Sequence, residues 1–154
     1  MHAFRNYPAW LSVLLASVVL LANTLAISAH AAEEKPFAEK KVVLQISDAD
    51  PSKQTLVLNV ASNLIKFYGP DKVDVEIVAF GPGLRLMFAD NDNAERIDGL
   101  DKNGVRFAAC NNTIAKMTKL LGEEPVLNSH AVHVDAGVVR ILDLVAQGYT
   151  LVKP

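Results

Sequence analysis

The chain has 154 residues, 51% of them hydrophobic and 21% charged, with 15 Lys and Arg against 17 Asp and Glu and a formal net charge of −2. Basic and acidic residues are interspersed, with no stripe or block of the kind that tracks phosphate, so no nucleic-acid partner is expected. A single cysteine excludes an internal disulfide, and the length suits one domain with a core of its own.

Arg5 precedes Leu11 to Ile27, an uncharged run rich in Leu, Val and Ala, and Ala29-His30-Ala31 follows as an A-x-A cleavage site. This pattern predicts a secretory signal over residues 1–31 and a periplasmic or secreted destination. The competing reading is an uncleaved N-terminal membrane anchor, because the run approaches the shortest bilayer span of roughly 17 to 25 residues. Polar Asn23, Thr24 and Ser28 count against it. Membrane contact is expected through this segment alone. Residues 1–31 hold one basic and no acidic residue, so the remainder carries 14 basic against 17 acidic groups, a net charge of −3.

Residues 32–40 are charged and contain Pro36, which reads as a short mobile leader before a single domain over 41–154. Lys41 to Ile46 is a β-branched apolar run suited to a strand covered on both faces. Asp50 as N-cap and Pro51 at the first helical position start a helix of about eighteen residues that Gly69-Pro70 stops. Its apolar positions Leu56, Val57, Val60, Ala61, Leu64, Ile65 and Tyr68 recur at helical spacing. Val73 to Phe80 reads as a second strand, ending at the tight turn Gly81-Pro82-Gly83, and residues 84–89 as one helical turn. Asn93 caps a short helix through Ile97 and Leu100, closed by Asn103-Gly104.

The third strand is Val105 to Ala109. Asn111 or Asn112 caps a helix carrying Ile114, Met117, Leu120 and Leu121 that stops at Gly122. Ala131 to Val134 is a short fourth strand, a helix follows from about Ala136 to Gln147, and Tyr149 to Val152 is the last strand. Strands alternating with helices predict a three-layer α/β/α sandwich around a mostly parallel five-stranded sheet with right-handed crossovers.

In such sheets ligands gather at the carboxyl ends of the strands. That edge collects Ser47 and Asp48 after the first strand, Gly81 and Gly83 after the second, Cys110-Asn111-Asn112-Thr113 after the third, and His133 to Asp135 after the fourth. Cys110 stands where a strand passes into a helix, and unpaired N–H groups and the positive helix end there favour thiolate. The Asn111, Asn112 and Thr113 amides can stabilise the anion, whereas Asp48 would oppose ionisation. The alternative is an inert buried residue, since free cysteines are among the most buried types.

The chain resembles the DsrE/TusD-like proteins of sulfur relay over roughly residues 41–153. The resemblance rests on the order of elements, on Phe80-Gly81-Pro82-Gly83-Leu84, on Val105-Arg106-Phe107-Ala108-Ala109-Cys110-Asn111-Asn112-Thr113, and on Gly137-Val138 leading to Gly148-Tyr149. It implies that Cys110 is the position that accepts sulfur as a persulfide, and that the chain forms a homo-oligomer, a trimer or hexamer. It also implies partners that are sulfur donor and acceptor proteins or small sulfur compounds. The chain departs from the relay members in its exported character and in lacking an alanine-rich run after the cysteine, so their pathway does not carry over.

Other motifs carry less. His130 and His133 offer two imidazoles, but an offset of three on a strand points them to opposite faces, and no metal site is expected. His133 is the better candidate as a proton donor or anion contact near Cys110. Gly81-Pro82-Gly83 lacks the Lys-Ser or Lys-Thr of a phosphate loop. Arg85 beyond it can hold an anionic sulfur species, though an exposed structural arginine is the simpler reading, and Asp90 and Asp92 read as loop solvation. No serine sits in a G-x-S-x-G elbow. No cofactor is expected. Two functions stay open: an exported sulfur carrier or sulfurtransferase using Cys110, and a non-catalytic oligomeric binding module with a silent cysteine.

Overall fold

The computed structural model describes residues 35–154, and the predicted signal segment lies outside the described residues. Five strands, β1 (Lys40–Ile46), β2 (Val73–Ala79), β3 (Val105–Cys110), β4 (Ala131–Val134) and β5 (Thr150–Val152), form one sheet. Its order is β4-β3-β2-β1-β5, and every pairing is parallel. The helices are α1 (Pro51–Tyr68), α2 (Ala94–Asp101), α3 (Asn111–Leu121) and α4 (Gly137–Ala146), with a 3-10 helix over Gly81–Met87. Lys40, expected in the leader, begins β1, because its backbone pairs in register with Val73.

The start and stop signals act as their chemistry requires. Asp50 accepts from the Ser52 N–H at 2.8 Å and caps α1, and Gly69 ends it at a φ of 87°. Asn93, expected to cap α2, makes no cap bond through its side chain. Its Oδ1 accepts from the Arg96 guanidinium at 3.5 Å instead, and Asn91 accepts from the Asn93 N–H at 2.9 Å in a turn ahead of the helix. Residues 81–87 form a continuous 3-10 helix rather than a turn followed by a helical turn. Gly83 shows why the segment is tight: a Cβ there would lie 2.5 Å from the Ile46 carbonyl oxygen. The chain packs onto the end of β1 with no room for a side chain.

Alternation along the strands sorts the core into two layers. Leu44, Ile46, Val75, Ile77 and Phe107 face α1, α2, α3 and the 3-10 helix in the larger cluster. Val43, Val78 and Ala108 face Ile141 and Leu144 of α4, with Tyr149 beside them. No helix among the described residues is long and apolar enough to cross a membrane.

The α4 face also buries a charged network. Asp74 and Glu76 are 0% and 2% exposed, and both are taken by Arg106, which also donates to the Tyr149 hydroxyl at 2.8 Å. Tyr149 in turn donates to Asp74 at 2.6 Å, and Arg140 makes a bidentate pair with Glu76 at 2.7 Å for each bond. Two acids and two guanidiniums balance, and no buried side-chain polar atom among the described residues lacks a partner. Burial, and then the hydrogen bond to Asp74, push the Tyr149 phenol up to about 12.

Removing one member leaves unpaired charge inside the protein, so Glu76→Ala is expected to cost about 3–5 kcal/mol in urea denaturation, and Glu76→Gln less. Because the folded Tyr149 pKa is raised, its stabilisation is complete below the ordinary tyrosine range and is lost as pH rises through about 12. Spectroscopic titration should show one tyrosine ionising late, together with unfolding, and Tyr149→Phe should remove that step.

Candidate functional site

The last residue of β3 pairs with Val134 of β4, so the strand includes Cys110, one residue beyond the expected end. Cys110, in extended conformation at φ −73° and ψ 114°, is itself the N-cap of α3. Neither Asn111 nor Asn112 is the cap, because helical geometry begins at Asn111 as soon as the ladder ends. Alternation places the Cys110 side chain with Arg106 and Ala108 on the α4 side of the sheet, where the residue is 5% exposed.

There it meets a second helix start. A Cβ on Gly137, the first residue of α4, would lie 3.3 Å from Cys110 Cβ and 3.0 Å from Phe80 Cβ. The absence of a side chain lets the α4 backbone close onto the cysteine. Two helix N-termini, of α3 and α4, therefore converge on one thiol.

Burial pushes the Cys110 thiol up. The Thr113 hydroxyl and the N–H groups of Gly137, Thr113 and Asn112 outweigh it, and the thiol is held below its ordinary range. No conventional side-chain cap bond closes on the sulfur. The stabilisation is instead shared among several weak donors. Thr113 is placed for this by Gly81, whose N–H donates to Thr113 Oγ1 at 2.9 Å and leaves the hydroxyl proton to turn towards sulfur. Gly81 holds a φ of 54°, in the region that favours glycine.

The other expected site residues are spread along the carboxyl edge of the sheet. Asn111 Oδ1 lies 3.0 Å from Nδ1 of the exposed His133, which its register with Ala109 places on the opposite face of the sheet from the Cys110 side chain, not beside the thiol as expected. Asp48 pairs with Lys53 at 3.3 Å, which neutralises the charge expected to oppose the thiolate. Gly83 has a steric part, against β1. His130 turns the other way, with its ring nitrogens 3.2 Å from Asp98 and 2.9 Å from Asp101 on α2. Gly137 and Phe80 are site residues that the spacing does not disclose, since their contact with Cys110 crosses between separate strand–helix units. Alongside the cysteine turn, a groove of about 520 Å³ opens between the 3-10 helix and α3.

No family model matches the chain, and no curated protein matches it. Among solved structures it is similar to MTH1491 of Methanobacterium thermoautotrophicum, a protein of unknown function, with a TM-score of 0.67 and 26% sequence identity. The match covers 75% of this chain and 100% of that one. The α/β/α fold around a five-stranded parallel sheet is thus shared with a whole solved chain, and that likeness brings no activity with it.

Thr113→Val is expected to shift the pH midpoint of iodoacetamide alkylation upward, because it removes the hydroxyl that does most to hold the thiol down. It should also cost about 1–3 kcal/mol by stranding the Gly81 N–H. Thr113→Ser should retain most of the acidity, and parallel urea melts separate the two effects.

Proposed function

We propose that this protein is an exported, DsrE-like sulfur carrier that holds sulfane sulfur as a persulfide on Cys110. The observation that carries the reading is the cradle of donors from two helix starts around a lone cysteine, which favours the anion in spite of burial. A thiolate is the nucleophile in sulfane transfer. Cys110 Sγ attacks the outer sulfur of a donor, a new S–S bond forms, and the old bond breaks with its electron pair leaving on the donor residue. An acceptor thiolate then takes the terminal sulfur from the persulfide and returns Cys110 as thiolate. No redox partner is required, and one cysteine suffices.

The 5% exposure of Cys110 favours a second reading, a binding module whose cysteine is silent. A second copy of the chain as partner is supported by the outer face of α4, where Val138, Val139, Leu142 and Val145 form an exposed apolar stripe. Light scattering is expected to report an oligomer, and Leu142→Glu to reduce it to monomers.

Incubation of the protein with thiosulfate or polysulfide, followed by intact mass, tests the carrier. The expected result is a gain of one sulfur that reductant removes and that Cys110→Ser lacks. No gain in the native protein, with reaction of the denatured chain, would select the silent-cysteine module.

A further inference from the structure

The groove beside the cysteine turn has a composition that narrows what it can take. Phe80, Phe88, Met117 and Leu120 line it together with Arg85 and Lys116. Both cations are exposed, neither forms an ion pair among the described residues, and no carboxylate is among its described lining residues. Asn112 and Thr113, whose N–H groups help hold the Cys110 thiol down, belong to the same wall, so the groove reaches the α3 start next to Cys110, which itself is not a lining residue. Its volume of about 520 Å³ lies in the range of about 300–1,000 Å³ that holds small molecules.

An inorganic anion would use the cations and leave the apolar wall wet. A neutral apolar sulfur compound would use the wall and leave the cations without a partner. Both halves are used by an organic anion. Its direction is set by the adjoining groove, which shares Phe88 and Leu121 but carries Asp90, Glu123 and Glu124. Negative charge is repelled from that end and drawn towards Arg85, Lys116 and the cysteine turn.

We propose that this groove binds organic thiosulfonates, R–SO₂–S⁻, with the apolar R group against Phe88, Met117 and Leu120 and the anionic end towards the Cys110 turn. The sulfur step rests on the carrier reading above. In it the Cys110 thiolate attacks the terminal sulfur, an S–S bond forms, and the bond between that sulfur and the sulfonyl sulfur breaks. The electron pair leaves on the sulfinate, R–SO₂⁻. Two anions give two anions, and no proton moves.

The test uses the full chain as Cys110→Ser, in which binding is separated from reaction, and calorimetric titration with benzenethiosulfonate, benzenesulfonate and inorganic thiosulfate. Benzenethiosulfonate is expected to bind at least about tenfold more tightly than thiosulfate, and Arg85→Gln with Lys116→Gln to weaken it by about tenfold or more. Lys66→Gln, on α1, should change nothing, and urea melts confirm that each variant is folded. The protein with Cys110 intact should then gain one sulfur and release benzenesulfinate. Equal affinity for thiosulfate, or binding indifferent to the double substitution, would overturn the groove as the site, and the carrier reading would still stand if polysulfide loads Cys110. Tight binding that depends on both cations, with no sulfur gained from any donor, would keep the groove as an organic-anion site and overturn the carrier.

Discussion

Right-handed crossover geometry decides which face of the sheet each helix covers, and here it leaves the two faces unequal. From β1 to β4 the chain steps steadily in one direction, so α1, α2 and α3 all fall on one side. The return from β4 to β5 runs the opposite way and must place α4 on the other side. A single helix of ten residues therefore roofs that side among the described residues. Three features follow from this asymmetry: the closeness of Gly137 to Cys110, the charged network beneath the rest of the roof, and the apolar outer stripe of α4. The cysteine stands between β3 and β4, whose outgoing connections leave the carboxyl ends towards opposite faces, the usual crevice for ligands in open sheets. Its environment comes from the two helix starts that meet there.

The charged network and the thiol cradle solve opposite problems on one surface. At the amino half of β2 and β3, carboxylates and guanidiniums meet as equals and cancel, which makes burial tolerable. At the carboxyl end, the donors around Cys110 face no buried carboxylate, so their partial positive charge is left for the sulfur. Arg140 and Gly137 belong to the same helix. α4 thus supplies a countercharge to the first centre and an N–H group to the second.

Much of the fold was legible because its punctuation is chemical and local. Asp50-Pro51, Gly69, Gly122 and Gly148 bound helices through caps and positive φ, and the β-branched runs between them can only be strands of a covered sheet. What stayed hidden depends on register or on contact between distant segments. Arg106 sits opposite Glu76 only because β2 and β3 pair as they do, and nothing within either strand announces it. Asn93 keeps the cap position, but its side chain accepts from the Arg96 guanidinium rather than from the helix N–H groups. Cys110 was found from its place between strand and helix, but its fourth donor, Gly137, lies on another unit of the fold.

The sheet closes around its own first strand. One edge of β1 is paired by β2, soon after it in the chain, but the other waits for β5 at the very end. Such a pairing has the largest loop to close and is among the last contacts a folding chain gains. α4, which precedes β5 and docks with it, shares that timing. Until the final residues are in place, Gly137 is not held against the sulfur and Cys110 lacks one of its four donors. The full donor set around Cys110 and the closed sheet are therefore completed together, so the environment of this one thiol reports on the last step of folding.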